Sequence, residues 1–557
     1  MKSSMIPVRT AALVVAVMAA TAIGQPTQPV WLYGSPHSEQ ALALVEGVDP
    51  GYCLAGWWMP LGTDHDVLIV KTGAQGAPVW AVTDGIAGSE EEAHSMVRSV
   101  DQCYVTTGWT DSYSPTRDIF VLKLDVLGNQ VWGWVYDGFQ AEEAYSIIET
   151  ADSGYAVAGM TCSLGPAPLP NILVMKLDVL GNVQWARAYW PWNHMVDEGF
   201  SIVQTPDGGY AVAGRCHYQA GATFFNPFLM KLDAAGNVQW VRTTPAAAIG
   251  NDEAYSVAVD LAGNILVAGF TENFGTGPGN TADLFVAKFN LGGAPLWSRT
   301  FGWPNGDERV LDDRSLTATS DGGCAVCGPT TSVGTGVPNP NYLILKLDQN
   351  GLQQWCRSHP SAYDPGLAQS EVPLPMVERA GGGYAVAGWT DSYPFKLGGG
   401  TDFHLATLDA QGNRVVCVDP QVPYEAGIPW APFDMFSEPG GFELKPMESW
   451  PVSVAFDSIC FDTVGLGIRQ GTDRPRGAGR ELELRVLSGR VELTLARDAE
   501  VAVRAFATDG RLVATLADGC FAAGRHELSL NCRLAPGAYV VQAAAGTLST
   551  SAKIITF

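Results

Sequence analysis

Between residues 30 and 418 short apolar stretches alternate with tight clusters of Gly, Asp and Asn. Within each stretch Val, Ile, Leu and Ala fill consecutive positions, not every second one. A strand of that kind is buried on both faces. One stretch is a GYAVAG-like strand. It recurs as GYCLAG (51–56), CYVTTG (103–108), GYAVAG (154–159), GYAVAG (209–214), GNILVAG (263–269), GCAVCG (323–328) and GYAVAG (383–388). A second anchor, KLDxxGNxxW, follows each with some wear: Lys71–Trp80, Lys123–Trp132, Lys176–Trp185, Lys231–Trp240, Lys288–Trp297 and Lys346–Trp355. A further copy at 407–416 lacks the Lys and the Trp. These are seven units spaced about 51 to 61 residues apart.

Each unit predicts four short strands. In the third they are Ala144–Glu149, Tyr155–Thr161, Ile172–Asp178 and Val183–Tyr189. Asp207-Gly208-Gly209 has the chemistry of a tight hairpin, because Gly supplies positive φ. Asp178 to Gly181 fits a type I turn closed by a left-handed Gly. Sheets apolar on both sides need cover on both sides, and blades packed radially in a ring provide it. The expected class is all-β: a β-propeller of about seven blades over 25–418. A right-handed parallel β-helix is the alternative, though its coils are usually shorter and lack two tight hairpins per turn. Val30-Trp31-Leu32-Tyr33-Gly34 reads as a lone fourth strand that would complete the last blade and lock the ring.

The chain has ten Lys, and six occupy one repeat position. Lys176 shares a strand face with Ile172 and Val174, so it needs a partner. Asp178 is one candidate. The recurring Glu92, Glu143, Glu198, Glu253 and Glu308 are others. A repeated structural ion pair is expected, with the recurring Trp as a packing residue. Cys324 and Cys327 form a CxxC in a strand, which sends them to opposite faces, so they read as packed thiols and not as a zinc or redox pair. Cys417 with Cys460, and Cys520 with Cys532, are possible disulfides.

Charge divides the chain. Residues 468–557 carry 12 Lys and Arg against 9 Asp and Glu, and the rest carries 21 against 48. The acidic body disfavours nucleic acid and anionic membranes as partners. Residues 1–24 read as a secretory signal: Lys2 and Arg9, then the apolar run Ala11–Ile23, then small residues before Gln25. No later stretch reads as a membrane span. The expected location is secreted or at the outer cell surface. Residues 419–479, rich in Pro and Gly, read as a linker with a strand near 452–460, and 480–557 as a small β-sandwich.

The paired anchors resemble repeats of bacterial secreted propellers. The resemblance covers about 30–418 and implies the fold without an activity. The segments Val501–Val513, Gly524–Leu528, Leu534–Val540 and Ser551–Ile555 are similar to the type A sorting domain of type IX secretion and to the Ig-like domain of flagellar hook caps. That resemblance implies an Ig-like C-terminal domain engaging secretion or sorting machinery. The Pro-Asn-Pro opening usual in that family is absent. DxxGNxxW also resembles the tryptophan-docking repeat of quinoprotein dehydrogenases, which implies a quinone and calcium oxidoreductase as an alternative. The stretch before the Gly is one residue shorter here and the typical Thr is missing.

Sites of established chemistry do not emerge. The eight His lack metal spacing, and Walker, GxSxG, EF-hand and Asp-box patterns are missing. No catalytic, cofactor or metal residues are assigned, and a non-catalytic protein is expected. The longer, variable loops fall on the face opposite the two tight turns. They carry Trp57-Trp58, Trp109 with Tyr113, Trp190-Pro191-Trp192, Phe224-Phe225 and Trp389 with Tyr393. Aromatics on variable loops suit a sugar or a protein partner. The expected function is glycan or surface-protein binding through that face. An architectural envelope protein without a soluble ligand is an alternative.

Overall fold

The computed structural model describes most of residues 30–413, apart from short segments between strands, and beyond them chiefly the backbone of strands within 448–556. Among the described residues every regular element is a β-strand. The expected signal segment, most of the linker and both proposed disulfides lie outside the described residues or side chains.

Seven antiparallel sheets follow one another, each ordered as its strands run in sequence. Blades 1 to 6 span 39–84, 91–137, 142–190, 197–243, 252–301 and 308–359. Blade 7 takes Glu371–Glu378, Tyr384–Thr390 and Asp402–Leu408. Its fourth strand is Val30–Tyr33, with Val30 opposite Ala406 and Tyr33 opposite Phe403. The Glu39 amide then donates to the Thr401 carbonyl at 2.7 Å. The chain therefore closes its own ring of seven blades. In blade 3 the strands are Glu142–Glu149, Tyr155–Thr161, Asn171–Leu177 and Val183–Trp190, close to the expected limits. The strand Glu448–Pro451 adds a fifth to that sheet, against Arg187–Trp190.

The turns follow their sequences. Gly208 and Gly181 both have φ of 80°. Blades 2 and 3 place Gln102 (69°) and Ser153 (62°) where the first hairpins of blades 4 to 7 place Gly. Core residues fill the gaps between blades. One cluster joins Ala156, Val174 and Tyr189 of blade 3 to Val212, Phe228 and Met230 of blade 4. Cys324 faces the blade 5 side and Cys327 the blade 7 side, so the CxxC thiols do point apart.

The repeated Lys is a structural ion pair, but with neither expected partner. It reaches the Asp of the first hairpin in its own blade: Lys71–Asp49, Lys123–Asp101, Lys176–Asp152, Lys231–Asp207, Lys288–Asp260 and Lys346–Asp321, at 2.5–2.9 Å. Asp178 is engaged elsewhere, accepting from the amides of Leu180 and Asn182 and from Asn182 Nδ2 in its own turn. The repeated Trp joins blades. Trp80 packs on Gly128, Trp185 on Gly236, Trp240 on Gly293, Trp297 on Gly351 and Trp355 on Gly412, each the left-handed Gly of the next blade. A Cβ at Gly412 would stand 2.4 Å from the Trp355 ring, so Gly there serves both turn and lock.

The C-terminal unit holds two antiparallel sheets. One orders 482–487, 490–495 and 524–529. The other orders 512–521, 499–507, 537–545 and 548–556.

Candidate functional site

First strands of neighbouring blades lie against each other, which places them innermost. Each of the first five carries a bulge where the register shifts by one. A bulge leaves one residue out of the ladder and re-aims its side chain. The bulged residues are Leu42, His94, Tyr145, Phe200 and Tyr255. In blades 2 to 5 their rings form a continuous arc. His94 meets Tyr145 edge-on at 5.7 Å between centroids, Tyr145 meets Phe200 at 5.5 Å, and Phe200 stacks on Tyr255 at 4.6 Å. Tyr145, Tyr255 and His94 are partly exposed, while Phe200 is buried.

Two residues before each bulge stand Glu92, Glu143, Glu198 and Glu253, which register opposite second-strand residues. The expected fifth member, Glu308, is one place out of register: Arg309 holds the position, and Glu308 pairs with Thr330. Cations bind these carboxylates across blade boundaries. Arg117 reaches Glu143 at 2.6 Å, and Arg215 joins Glu198 (2.5 Å) to Glu253 (3.1 Å). His65 of blade 1 meets Glu92 of blade 2 at 2.7 Å. Tyr145 and Tyr255 donate to Glu143 and Glu253 at 2.8 and 2.9 Å. Trp109 Nε1 donates to His94 Nε2 at 3.1 Å, and Glu92 Oε2 lies 3.4 Å from the same nitrogen. Arg117 also lies 3.8 Å over Trp109, and Arg215 lies 4.2 Å over Phe225. Burial raises Glu198 despite Arg215. Burial works the same way on Glu92, but hydrogen bonds and charge from His94 and His65 outweigh it and lower the group.

Beneath the arc, serines link the blades. The Ile147 amide donates to Ser95 Oγ, Ile202 to Ser146, Val257 to Ser201 and Leu316 to Ser256. Blade 6 breaks the pattern. Residues 311–314 bulge further from its first strand toward the axis. There Asp313 accepts from Ser95 Oγ (2.9 Å) through its carboxylate and from Ser256 Oγ (2.7 Å) through its backbone carbonyl. Arg314 donates to the Ile147 carbonyl at 2.8 Å. This segment ties blade 6 to blades 2, 3 and 5 at the axis. Its two adjoining carboxyls, Asp312 and Asp313, are both raised, chiefly by burial.

The loop rings singled out in the sequence divide: Trp58, Phe224, Phe225 and Trp389 are partly exposed, and three others are buried. Trp57, Trp109 and Trp190 are 9%, 2% and 2% exposed and serve as packing. Trp57 stacks on His65 at 4.0 Å. Tyr113, Pro191, Trp192 and Tyr393 lie outside the described residues. The arc itself was missed. Its signal was the fourth residue of EEAHS, EEAYS, DEGFS and DEAYS, read as strand interior because a bulge is invisible to simple alternation. Among the described residues no cluster could hold a metal ion, and no helix is long and apolar enough to cross a membrane.

No family model and no curated protein matches this chain. Solved structures do. Polysaccharide lyase Uly1 is 10% identical, with TM-score 0.42, covering 70% of this chain and 94% of that one. A protein of unknown function from Dyadobacter fermentans DSM 18053 is 11% identical, with TM-score 0.35, covering 67% and 95%. A xylan beta-1,4-xylosidase from Bacillus Halodurans C-125 is 11% identical, with TM-score 0.24, covering 71% and 98%. Two of the three are enzymes, which overturns the expectation that this chain is non-catalytic; that reading is withdrawn. A likeness this distant transfers no activity to it.

Proposed function

We propose that the chain is a glycan-binding propeller whose site is the axial mouth on the loop face. The observation that carries this reading is the aromatic arc His94–Tyr145–Phe200–Tyr255, set beside the Glu and Arg ladder. Ring faces accept the apolar faces of sugars. Carboxylates and guanidinium groups already fixed in position offer acceptors and donors to hydroxyls with little ordering cost. The Glu and Arg groups are paired with each other, and residues 1–467 are strongly acidic, so the favoured ligand is a neutral glycan and not a polyanion. Export by an N-terminal signal, and an Ig-like C-terminal module for sorting or anchoring, belong to the same reading: a surface or secreted protein presenting its mouth to polysaccharide.

The test is an array of neutral, acidic and amino glycans probed with the full-length chain, followed by incubation and product analysis of any hit. Neutral glycans should bind, and Tyr145→Ala with Tyr255→Ala should weaken them by roughly 10- to 100-fold, the scale of one to two well-packed rings at about 1.4 kcal/mol per tenfold. Binding restricted to acidic glycans, or none at all, contradicts the proposal.

A further inference from the structure

The four blades that carry the aromatic arc are all held by one residue at the axis. Each ring is followed directly by a serine: His94-Ser95, Tyr145-Ser146, Phe200-Ser201 and Tyr255-Ser256. In blade 1 the bulged Leu42 is followed by Ala43, so ring and hydroxyl are missing together. The serines converge on Asp313 of blade 6. Ser201 and Ser256 donate to its backbone carbonyl at 3.2 and 2.7 Å. Ser95 donates to its carboxylate at 2.9 Å, and Ser146 is a further donor to that carboxylate. Each serine oxygen in turn accepts an amide from the first strand of the next blade, at 3.1–3.3 Å. Asp313 thus fixes, through one hydroxyl per blade, the backbone that aims each ring.

That grip depends on how the segment carries its charge. Asp312 and Asp313 are both buried, and their carboxyls lie within hydrogen-bonding reach of each other. Two adjoining buried carboxyls resist ionising together, so the pair keeps one proton between them. Burial raises Asp312, and the charge of Asp313 raises it further. Burial also raises Asp313, but Arg314 and the serine hydroxyls oppose it there. The proton therefore sits on Asp312, from which it can be donated to Asp313. Asp312 Oδ1 accepts the Arg314 amide at 2.9 Å. Arg314 Nε stands 3.8 Å from Asp313, and its Nη2 is engaged by the Ile147 carbonyl. Cys327, a titratable neighbour of Asp312, is pushed well up by burial and by that carboxyl, so it stays a thiol. Loss of the shared proton adds a second negative charge, faced only by the Arg314 that Asp313 already uses.

We propose that Asp313 is the positioning residue of the aromatic arc and that the Asp312–Asp313 pair makes the mouth pH-dependent, gripping the serines while it holds its proton and releasing them when it loses it. The inference rests on the reading of the mouth as a glycan site and adds a regulation to it. An acid raised in the folded state contributes at low pH, and its contribution is lost as pH rises through its folded value, so affinity falls on the alkaline side. The test titrates full-length wild type and Asp312→Asn with the tightest neutral glycan from about pH 5 to about pH 9. Amide exchange of the ligand-free proteins is followed over the same range. Asn accepts and donates where protonated Asp312 does, but it cannot ionise. Wild-type affinity should fall by at least about tenfold across the rise, while Asp312→Asn holds its affinity. The carboxylates and histidines of the mouth are the same in both proteins, so the difference belongs to the axial pair. The Ile147 and Ile202 amides, whose serine acceptors face the Asp313 carboxylate, should lose exchange protection with rising pH in wild type and keep it in Asp312→Asn. Exchange needs no ligand, so if no glycan binds, the reading of the mouth fails and exchange alone decides this inference. Should Asp312→Asn fail to fold, Ser146→Ala, which frees Tyr145 from the segment, should bind at every pH as weakly as wild type does at the alkaline end. Parallel pH profiles for wild type and Asp312→Asn, wild-type affinity in Ser146→Ala, or protection of Ile147 and Ile202 indifferent to pH overturns the inference.

Discussion

The two faces of the disc use their residues in opposite ways. On the tight-turn face one solution recurs from blade to blade: Lys to hairpin Asp within a blade, and Trp to left-handed Gly across to the next. On the loop face equivalent positions diverge. The bulge is Leu42, His94, Tyr145, Phe200 and Tyr255 in turn, and its neighbouring acid gives way to Arg309 in blade 6. Repetition marks what every blade needs in order to stand beside the next. Divergence confined to one arc marks what a repeated scaffold does not need for itself. The repeat that is easiest to see in this sequence is therefore the part least informative about function.

Substitutions can break this contrast. The largest stability effect is expected on the turn face. Lys231 is fully buried, but Asp207 is 36% exposed, so Lys231→Met should cost about 2–3 kcal/mol, below the 3–5 of a fully buried pair. Equilibrium denaturation measures it, and glycan binding should not change. At the axis, Asp313→Ala removes an acceptor that Ser95 uses and should cost about 1–3 kcal/mol by the same assay. On the loop face, Tyr145→Ala should lower glycan affinity about tenfold or more with a smaller loss of stability than Lys231→Met. The smallest change is a gain. Ser153 sits at positive φ, so Ser153→Gly should relieve about 1 kcal/mol of strain, partly offset by the entropy of Gly.

The faces should also respond oppositely to pH. Burial tends to raise Asp321, but hydrogen bonds from Lys346, Thr319 and the Gly323 amide, with the Lys346 charge, bring it down to about 2. Its stabilising contribution is present above the unfolded value near 4 and lost as pH falls toward 2. At the blade 1–2 junction on the loop face, burial and neighbouring carboxylates push Glu91 to about 8 and Asp66 to about 7. Burial raises Asp84 there to about 6. These groups stay protonated in the folded protein after they would ionise in the unfolded chain. Their contribution declines as pH rises from about 4 to 8. Unfolding followed across pH should show greatest stability on the acidic side of neutrality. Glu91→Gln should flatten the alkaline limb, and Asp321→Asn the acidic one.

Much of the fold was legible because its signals are local. Asp207-Gly208-Gly209 specifies a turn by itself, and consecutive apolar residues specify a strand covered on both sides. Even the lone Val30–Tyr33 strand could be matched to the blade that lacked one. What stayed hidden depends on three-dimensional proximity or on register. Lys176 reaches Asp152, 24 residues earlier, because the first hairpin and the end of the third strand share an edge of the sheet. Glu308 looks like a member of the Glu92–Glu253 series, but it holds the register of Glu142 and Asp252, and Arg309 takes the place of Glu143 and Glu253. The aromatic arc needs a bulge in each of four strands, and alternation rules do not see bulges. The loop tryptophans were conspicuous in sequence, yet Trp109 fills a buried position between His94 and Arg117.

The sharpest single test compares full-length wild type with the Tyr145→Ala, Tyr255→Ala double variant in titration against the tightest neutral glycan found. Affinity should fall by roughly 10- to 100-fold while the variant keeps its cooperative unfolding transition. Undiminished affinity in the folded variant would place the ligand elsewhere and contradict the division of labour between the faces.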